Sequence, residues 1–133
     1  MWITEDSIAA LYTAFIQIET FASMPFPPAK RVEFVVCNNP EVYGEYEPEP
    51  HKITISTGKC SHLDTVIKTL LHEMIHQIIY IKYPKSEIYL SHKGEFKRMQ
   101  HKVAKQFGFD PLELEHIIAR IISFSCWCIS RAT

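Results

Sequence analysis

The segment Leu70–Tyr80 reads LLHEMIHQIIY, and it decides how the rest of the chain is interpreted. It is apolar at most positions, yet it carries two histidines, His72 and His76, with Glu73 directly after the first. On an α-helix the two histidines lie one turn apart on the same face, so both imidazoles can face one metal ion. A neighbouring carboxylate, as in the H-E-x-x-H pattern, can take a proton from water held at the metal. The alternative is a partly exposed helix edge whose polar residues bind no metal.

The residues around this segment predict a long helix. Ser61, with Asp64 three residues later, resembles a capping box. Tyr83-Pro84 ends the pattern, because proline cannot continue a helix. Between these limits the apolar residues recur at helical spacing and form a wide stripe, which comprises Leu63, Val66, Ile67, Leu70, Leu71, Met74, Ile75, Ile78 and Ile79.

Shorter elements are predicted before this helix. A first helix is capped by Thr4 and is stopped at Pro25. Three strand-like runs follow, at Val32–Cys37, Glu41–Tyr46 and Lys52–Thr57. Their close spacing favours an antiparallel meander over βαβ units.

Two more helices are predicted after the long one. The first runs from Gly94 to Phe107 and is stopped by Gly108, and the second starts at Asp110-Pro111. The order of elements predicts an α+β fold, in which a small antiparallel three-stranded sheet packs with helices. The length predicts a single domain, residues 1–133.

Composition narrows the class of protein. Hydrophobic residues at 47% and charged residues at 22% are typical of a globular protein and exclude a disordered one. The formal net charge of −1 gives no overall attraction to nucleic acid or membrane. The N-terminus lacks the layout of a signal peptide, and no apolar run reaches the roughly 18 to 20 residues that span a bilayer. The four cysteines contain no C-x-x-C pair, which favours thiols in a reducing cytoplasm. We therefore expect a monomer without membrane contact that is cytoplasmic, or nucleoid or nuclear if it associates with DNA.

A catalytic zinc site needs a third protein ligand and a position left open for water. A closely spaced third histidine would stand at position 82, which holds Lys82. His92 is best placed, because the loop after Pro84 lets the chain reverse toward the motif. Glu95, near the start of the next helix, is an alternative. The other downstream candidates are Glu87, His101 and His116.

Two stretches together resemble the SprT-like (Spartan-type) zinc metalloprotease family. They are LLHEMIHQIIY at 70–80 and SHKGEFKRMQHKVAKQFGFDP at 91–111. The family carries H-E-x-x-H on one helix and, further on, a histidine in a segment like H-G-x-x-F that leads into an amphipathic helix. Here the segment His92–Phe96 stands in that place, with Lys93 inserted before the glycine. The resemblance covers roughly residues 30 to 110.

The resemblance implies a zinc-dependent endopeptidase with a zincin-like H-E-x-x-H fold. His72, His76 and His92 would hold one zinc ion per chain, and Glu73 would be the general base. It further implies a protein substrate that is bound or crosslinked to DNA, with single-stranded or damaged DNA as a partner. Two other readings stay open: a non-catalytic nucleic-acid-binding or interaction protein that keeps a zinc-stabilised scaffold, and a metal-dependent hydrolase of a non-peptide substrate. Glu73 favours an enzyme, because a structural zinc has no use for a carboxylate beside an open position.

The helix that follows His92 has a basic side. Lys97, Arg98, Lys102 and Lys105 lie on it. A solvated face is the ordinary explanation, and contact with nucleic-acid phosphates is the functional one.

Two further features lie near the predicted site. The acidic stretch Glu41–Glu49 coincides with the second strand. If a substrate peptide adds to the edge of the sheet there, the acidic residues would favour basic substrates. The alternative is a solvated, charged strand that protects the sheet edge. Tyr80, Tyr83 and Tyr89 are candidates for a second donor to the oxyanion, with packing as the alternative.

Overall fold

A computed structural model describes residues 3–58 and 62–111. In chain order its elements are α1 (Glu5–Phe15), α2 (Glu19–Ala22), β1 (Glu33–Cys37), β2 (Gly44–Glu47), β3 (Lys52–Ser56), α3 (Leu63–Lys82) and α4 (Glu95–Phe107). Short 3₁₀ helices, Ala29–Arg31 and Glu87–Leu90, lie before β1 and before α4. The described part of the chain is an α+β fold, which confirms the predicted class.

The sheet is mixed, so the predicted antiparallel meander is wrong. The strand order is β1-β3-β2, with β2 antiparallel and β1 parallel to β3. The central place goes to β3 because its Ile53 and Ile55 are completely buried, whereas β2 is the polar run Gly-Glu-Tyr-Glu. The Ser56 hydroxyl donates to the Asn39 carbonyl at 2.5 Å and accepts from the Asn39 N–H at 3.0 Å. These bonds carry the loop after β1 past the end of β3, so that β2 reaches the far side.

The N-terminal helix is interrupted, which corrects the single helix predicted up to Pro25. Thr4 caps α1 as predicted: the Ser7 N–H donates to the Thr4 hydroxyl at 3.1 Å, and the Thr4 N–H donates to the Ser7 hydroxyl at 2.9 Å. The helix ends at Phe15, and Ile18 has an extended backbone before α2 begins. The chain therefore turns before the prolines are reached.

Helix α3 forms the centre of the fold. It begins at Leu63 with His62 as N-cap, and the His62 side chain makes no capping hydrogen bond, whereas the predicted capping box involves Ser61. Ser61 itself lies outside the described residues. The helix ends before Tyr83, as predicted. Every residue from Thr69 to Ile79 is buried, because the sheet, α1 and α4 all pack against α3.

Helix α4 ends at Phe107 as predicted and begins at Glu95, one residue after the predicted start. Gly94 precedes it with φ of 62°, and Gly108 follows it with φ of 77°, a left-handed conformation that suits glycine. Phe96, Met99 and Val103 are buried on one face. The helix predicted from Asp110 onward lies outside the described residues, apart from its first positions, as do Cys60, Cys126 and Cys128.

The described helices include none with the length and apolar character needed to cross a bilayer.

Candidate metal centre

Three histidine side chains converge beside the middle of α3. His72 and His76 extend from consecutive turns of the helix, and His92 comes from the loop between the 3₁₀ helix Glu87–Leu90 and α4. The Nε2 atoms of His72 and His76 are 3.1 Å apart, and one ligand nitrogen from each of the three residues lies within 4.8 Å of the others. The three ring centroids are separated by 4.8 to 5.2 Å. We call these residues the histidine cluster.

A backbone carbonyl orients one ring of the cluster. The Nδ1 atom of His76 lies 2.5 Å from the carbonyl oxygen of Tyr89, so Nδ1 carries the proton and donates it. In a neutral imidazole the other nitrogen, Nε2, then has a free lone pair. That lone pair is directed at His72, where a metal ligand is required. The 3₁₀ helix holds the carbonyl in place, and the Ser86 hydroxyl caps that helix by accepting from the Ile88 N–H at 3.3 Å.

An aromatic ring forms one wall of the cluster. Phe96, in the first turn of α4, is completely buried. Its ring centroid lies 4.9 Å from that of His72, 4.7 Å from that of His76 and 5.0 Å from that of His92. The Phe96 ring restricts the orientations of the imidazoles. Helix α4 therefore shapes the histidine cluster, although none of the three histidines of the cluster belongs to α4.

Burial keeps the cluster unprotonated. It lowers the pKa of His72 well below its usual value, and the neighbouring His76 and His92 lower it further. It lowers the pKa of His76 to about 3, with a further contribution from His92. Burial also lowers the pKa of His92. Neutral imidazoles are the form that binds metals, so the cluster is ready for a cation at neutral pH.

The residues fit a bound metal ion. The Nε2 atom of His92 is buried, and the described residues offer it no hydrogen-bond partner, which is costly unless something else occupies the position. Three imidazole nitrogens suit zinc or another transition metal better than calcium or magnesium, which prefer oxygen ligands. Within the described ranges, the histidine cluster is the group of side chains able to hold a metal ion.

A buried carboxylate accompanies the cluster. Glu73 follows His72 on α3 and is only 3% exposed. Burial raises the pKa of Glu73 well above its usual value, and the negative charge of Glu45 raises it further. Glu45 belongs to β2 and is also buried, so the second strand brings its charge toward the site. This is an environment that holds a carboxyl ready to exchange a proton.

The other candidate ligands do not join the cluster. Glu95 pairs with Arg98 one turn along α4. Glu87 and His101 are exposed. His116 lies outside the described residues. The basic residues of α4, Lys97, Arg98, Lys102 and Lys105, are exposed on the face opposite its buried residues.

Two contributors to the site were missed from the sequence, each for a different reason. The Tyr89 carbonyl that orients His76 is a backbone group, so no residue type announces it. The burial of Glu45 was also missed, because an acidic strand is ordinarily a solvated one. Its neighbours Gly44 and Tyr46 are buried as well, so no alternation along the strand marks Glu45 as a buried residue.

The model of the SprT-like family matches residues 12–116, which is most of the chain. The chain belongs to the SprT-like family, as the two quoted stretches suggest. No curated protein and no solved structure matches the chain at a significant level.

Proposed function

We propose that this chain is a zinc-dependent endopeptidase of the H-E-x-x-H, zincin-like type. The observation that carries the proposal is the convergence of three imidazoles, those of buried His72 and His76 and half-buried His92, next to the buried carboxyl group of Glu73. Three protein ligands with a fourth position for water are the arrangement of catalytic zinc, whereas structural zinc is closed by four protein ligands. Family membership supports the same activity.

His72, His76 and His92 hold the zinc ion in this proposal. Bound zinc supplies Lewis acidity, which lowers the pKa of water and polarises a carbonyl group. Glu73 accepts the proton of the attacking water and delivers it to the amine leaving group. Burial raises the pKa of Glu73, which makes its carboxylate a stronger base than an exposed one. The hydrogen bond to the Tyr89 carbonyl keeps the His76 ring oriented throughout.

One edge of the sheet offers a binding site for an extended substrate peptide. The strand order makes β2 an edge strand next to α3. The outer side of the opposite edge, β1, is in contact with α1, where Glu5 Oε1 accepts from the Val36 N–H at 3.4 Å. An extended peptide added to β2 would lie alongside Glu45 and in front of the helix that carries Glu73.

The test is cleavage of an unstructured protein by the zinc-loaded chain, with Glu73→Gln as the matched variant. The substitution keeps the shape of the side chain and removes the base. We expect the rate to fall by about 10²- to 10⁴-fold while zinc content is unchanged. Undiminished cleavage by Glu73→Gln would contradict the assigned base.

A second candidate function is a non-catalytic nucleic-acid-binding protein on the same scaffold. The exposed basic face of α4 favours it, since its four cationic side chains can reach phosphates together. The same face supports single-stranded or damaged DNA as a partner of the peptidase, with DNA-bound or crosslinked proteins as substrates.

The two candidates are separated by repeating the assay with single-stranded DNA and a DNA-binding protein as substrate. The peptidase proposal with a DNA partner expects faster cleavage when DNA is added. The affinity of the chain for single-stranded DNA should fall with salt: the logarithm of the binding constant should change with the logarithm of salt concentration by a slope of roughly −0.7 per phosphate contacted. DNA binding without cleavage by the zinc-loaded chain would favour the scaffold function.

A further inference from the structure

Four rings pack together beside the histidine cluster. They belong to Tyr46 on β2, His51 in the turn after it, Tyr80 on α3 and Tyr89 in the 3₁₀ helix. The centroids of Tyr80 and Tyr89 are 5.2 Å apart, and Tyr46 lies 6.0 to 6.4 Å from each of the other three. We call these residues the aromatic cluster.

The aromatic cluster is joined to the metal centre through two connections. Tyr89 supplies the carbonyl that His76 contacts at 2.5 Å. Tyr80 follows His76 by four residues on α3, which is about one helical turn, or about 6 Å along the axis. A peptide that lies along β2 with its scissile bond at the histidine cluster would therefore have a neighbouring side chain within reach of these rings.

One side of the aromatic cluster is open and acidic. Tyr46 and Tyr89 are buried, Tyr80 and His51 are half-buried, and Glu49 is exposed. The Tyr80 hydroxyl donates to Glu49 Oε1 at 2.5 Å. The hydrogen bond holds the carboxylate at the open side, next to the Tyr80 ring.

The charges around the open side are mainly negative. The hydrogen bond to Glu49, then burial and the Glu49 charge, raise the pKa of Tyr80, while burial raises the pKa of Tyr89 and the charge of Glu87 raises it further, so both carboxylates act on the cluster. Glu47 also lies at this end of β2, although Lys52 stands opposite it in the strand register. Aromatic rings combined with a fixed carboxylate form a favourable environment for a cation.

We propose that the aromatic cluster and Glu49 form a subsite that binds the basic side chain, lysine or arginine, of a peptide lying along β2. The inference rests on the proposed peptidase function, because it uses the same strand edge and the same centre. It adds the substrate class: segments with a basic residue close to the scissile bond. Cation–π contact and the carboxylate act on the same ammonium or guanidinium group.

The test measures binding separately from cleavage. Two short alanine-based peptides with blocked ends differ at one central position, which is lysine in one and its neutral analogue norleucine in the other. Each is titrated into the zinc-loaded Glu73→Gln chain, with NMR signals of the tyrosine rings as the readout. We expect the lysine peptide to bind about five- to tenfold more tightly and to shift these signals.

Glu49→Gln should reduce this preference to about twofold or less. The matched control is Glu33→Gln, which changes an exposed glutamate on β1 and should leave the preference unchanged. Tyr80→Phe keeps the ring but removes the hydroxyl that holds Glu49, and an intermediate preference is expected. Thermal unfolding of each variant checks that the fold is retained.

The outcomes separate the subsite from the proposed activity. A lysine preference that depends on Glu49, in a chain whose wild-type form cleaves nothing, supports the subsite and contradicts the peptidase. Cleavage of both peptides with equal kcat/KM and equal affinity overturns the subsite and leaves the peptidase standing. Binding of neither peptide, or a preference that persists in Glu49→Gln, also overturns the subsite.

Discussion

Helices α3 and α4 both carry many polar residues, but they place them in opposite environments. In α3 the polar side chains Thr69, His72, Glu73, His76 and Gln77 are buried. In α4 the basic side chains are exposed, and the buried face is mostly apolar. A buried polar group costs several kcal/mol unless it is paired, whereas an exposed one costs almost nothing. The polar residues of α3 are therefore the ones whose presence requires a function or a structural partner.

The largest expected difference between the two helices concerns metal binding. His92 belongs to the histidine cluster beside α3, whereas His101 is an exposed histidine of α4. The substitutions His92→Ala and His101→Ala remove the same side chain, so one is a matched control for the other. We expect His92→Ala to weaken zinc affinity more than about 100-fold, because a direct ligand matters more than its supporting neighbours. His101→Ala should leave zinc affinity unchanged. Competition with a chromogenic chelator measures both.

The same two variants should also differ in how much zinc stabilises the fold. Zinc at about 100 times its Kd should stabilise the wild-type chain by about 2.7 kcal/mol, which raises Tm by about 10 °C. The shift should persist in His101→Ala and largely disappear in His92→Ala. Equal zinc shifts in the two variants would show that the ion binds elsewhere.

The opposite side of α3 offers a smaller effect, on stability at high pH. Tyr12 on α1 is buried, its hydroxyl donates to the Pro27 carbonyl at 2.7 Å, and Gln77 of α3 donates to it at 3.3 Å. Burial raises the pKa of Tyr12 to about 12, although the Gln77 hydrogen bond opposes the rise. In the unfolded chain the pKa is about 10, so the unfolded state loses its proton first. The stabilising contribution is complete below pH 10 and is lost as pH rises from 10 to 12.

Tyr12→Phe should remove that pH dependence. Between pH 8 and pH 11 the wild-type free energy of unfolding should fall by about 1.4 kcal/mol more than that of the variant. Urea unfolding at both pH values gives the two differences. Parallel losses in the two proteins would mean that other groups account for the alkaline destabilisation.

The sequence alone predicts the features that depend on local residue patterns. The ends of α4 follow from Gly94 and Gly108, and the pairing of His72 with His76 follows from helical spacing. His92 was chosen as the third ligand because the chain reverses after Pro84, and the structure brings it to the other two histidines. The first two of these features are decided by residues close together in the chain, and the third is favoured by the turn that follows Pro84.

Features that depend on contacts between distant segments were not predicted correctly. The parallel pairing of β1 with β3 depends on the Ser56 and Asn39 contact and on the burial of Ile53, which strand spacing does not reveal. The interruption of the first helix at Ile18 was missed for the same reason, because Phe15 and Phe21 on either side are buried in the shared core. Such choices are made by the packing of the whole domain, and local propensity is too weak to decide them.

The smallest expected difference separates two lysines. Lys68 on α3 lies 3.3 Å from Asp64, and its Nζ is 5.1 Å from the Phe109 ring centroid. Lys102 on α4 is exposed. We expect Lys68→Gln to lower the free energy of unfolding by about 1 kcal/mol, since it loses a cation–π contact and an ion pair. Lys102→Gln should change it by less than about 0.5 kcal/mol, because an exposed charge with no structural role has little effect on stability. Chemical unfolding at moderate salt measures both, and a larger loss in Lys102→Gln would show that the basic face of α4 stabilises the fold. In that case the exposed face could no longer be assigned to solvent or to a phosphate partner alone.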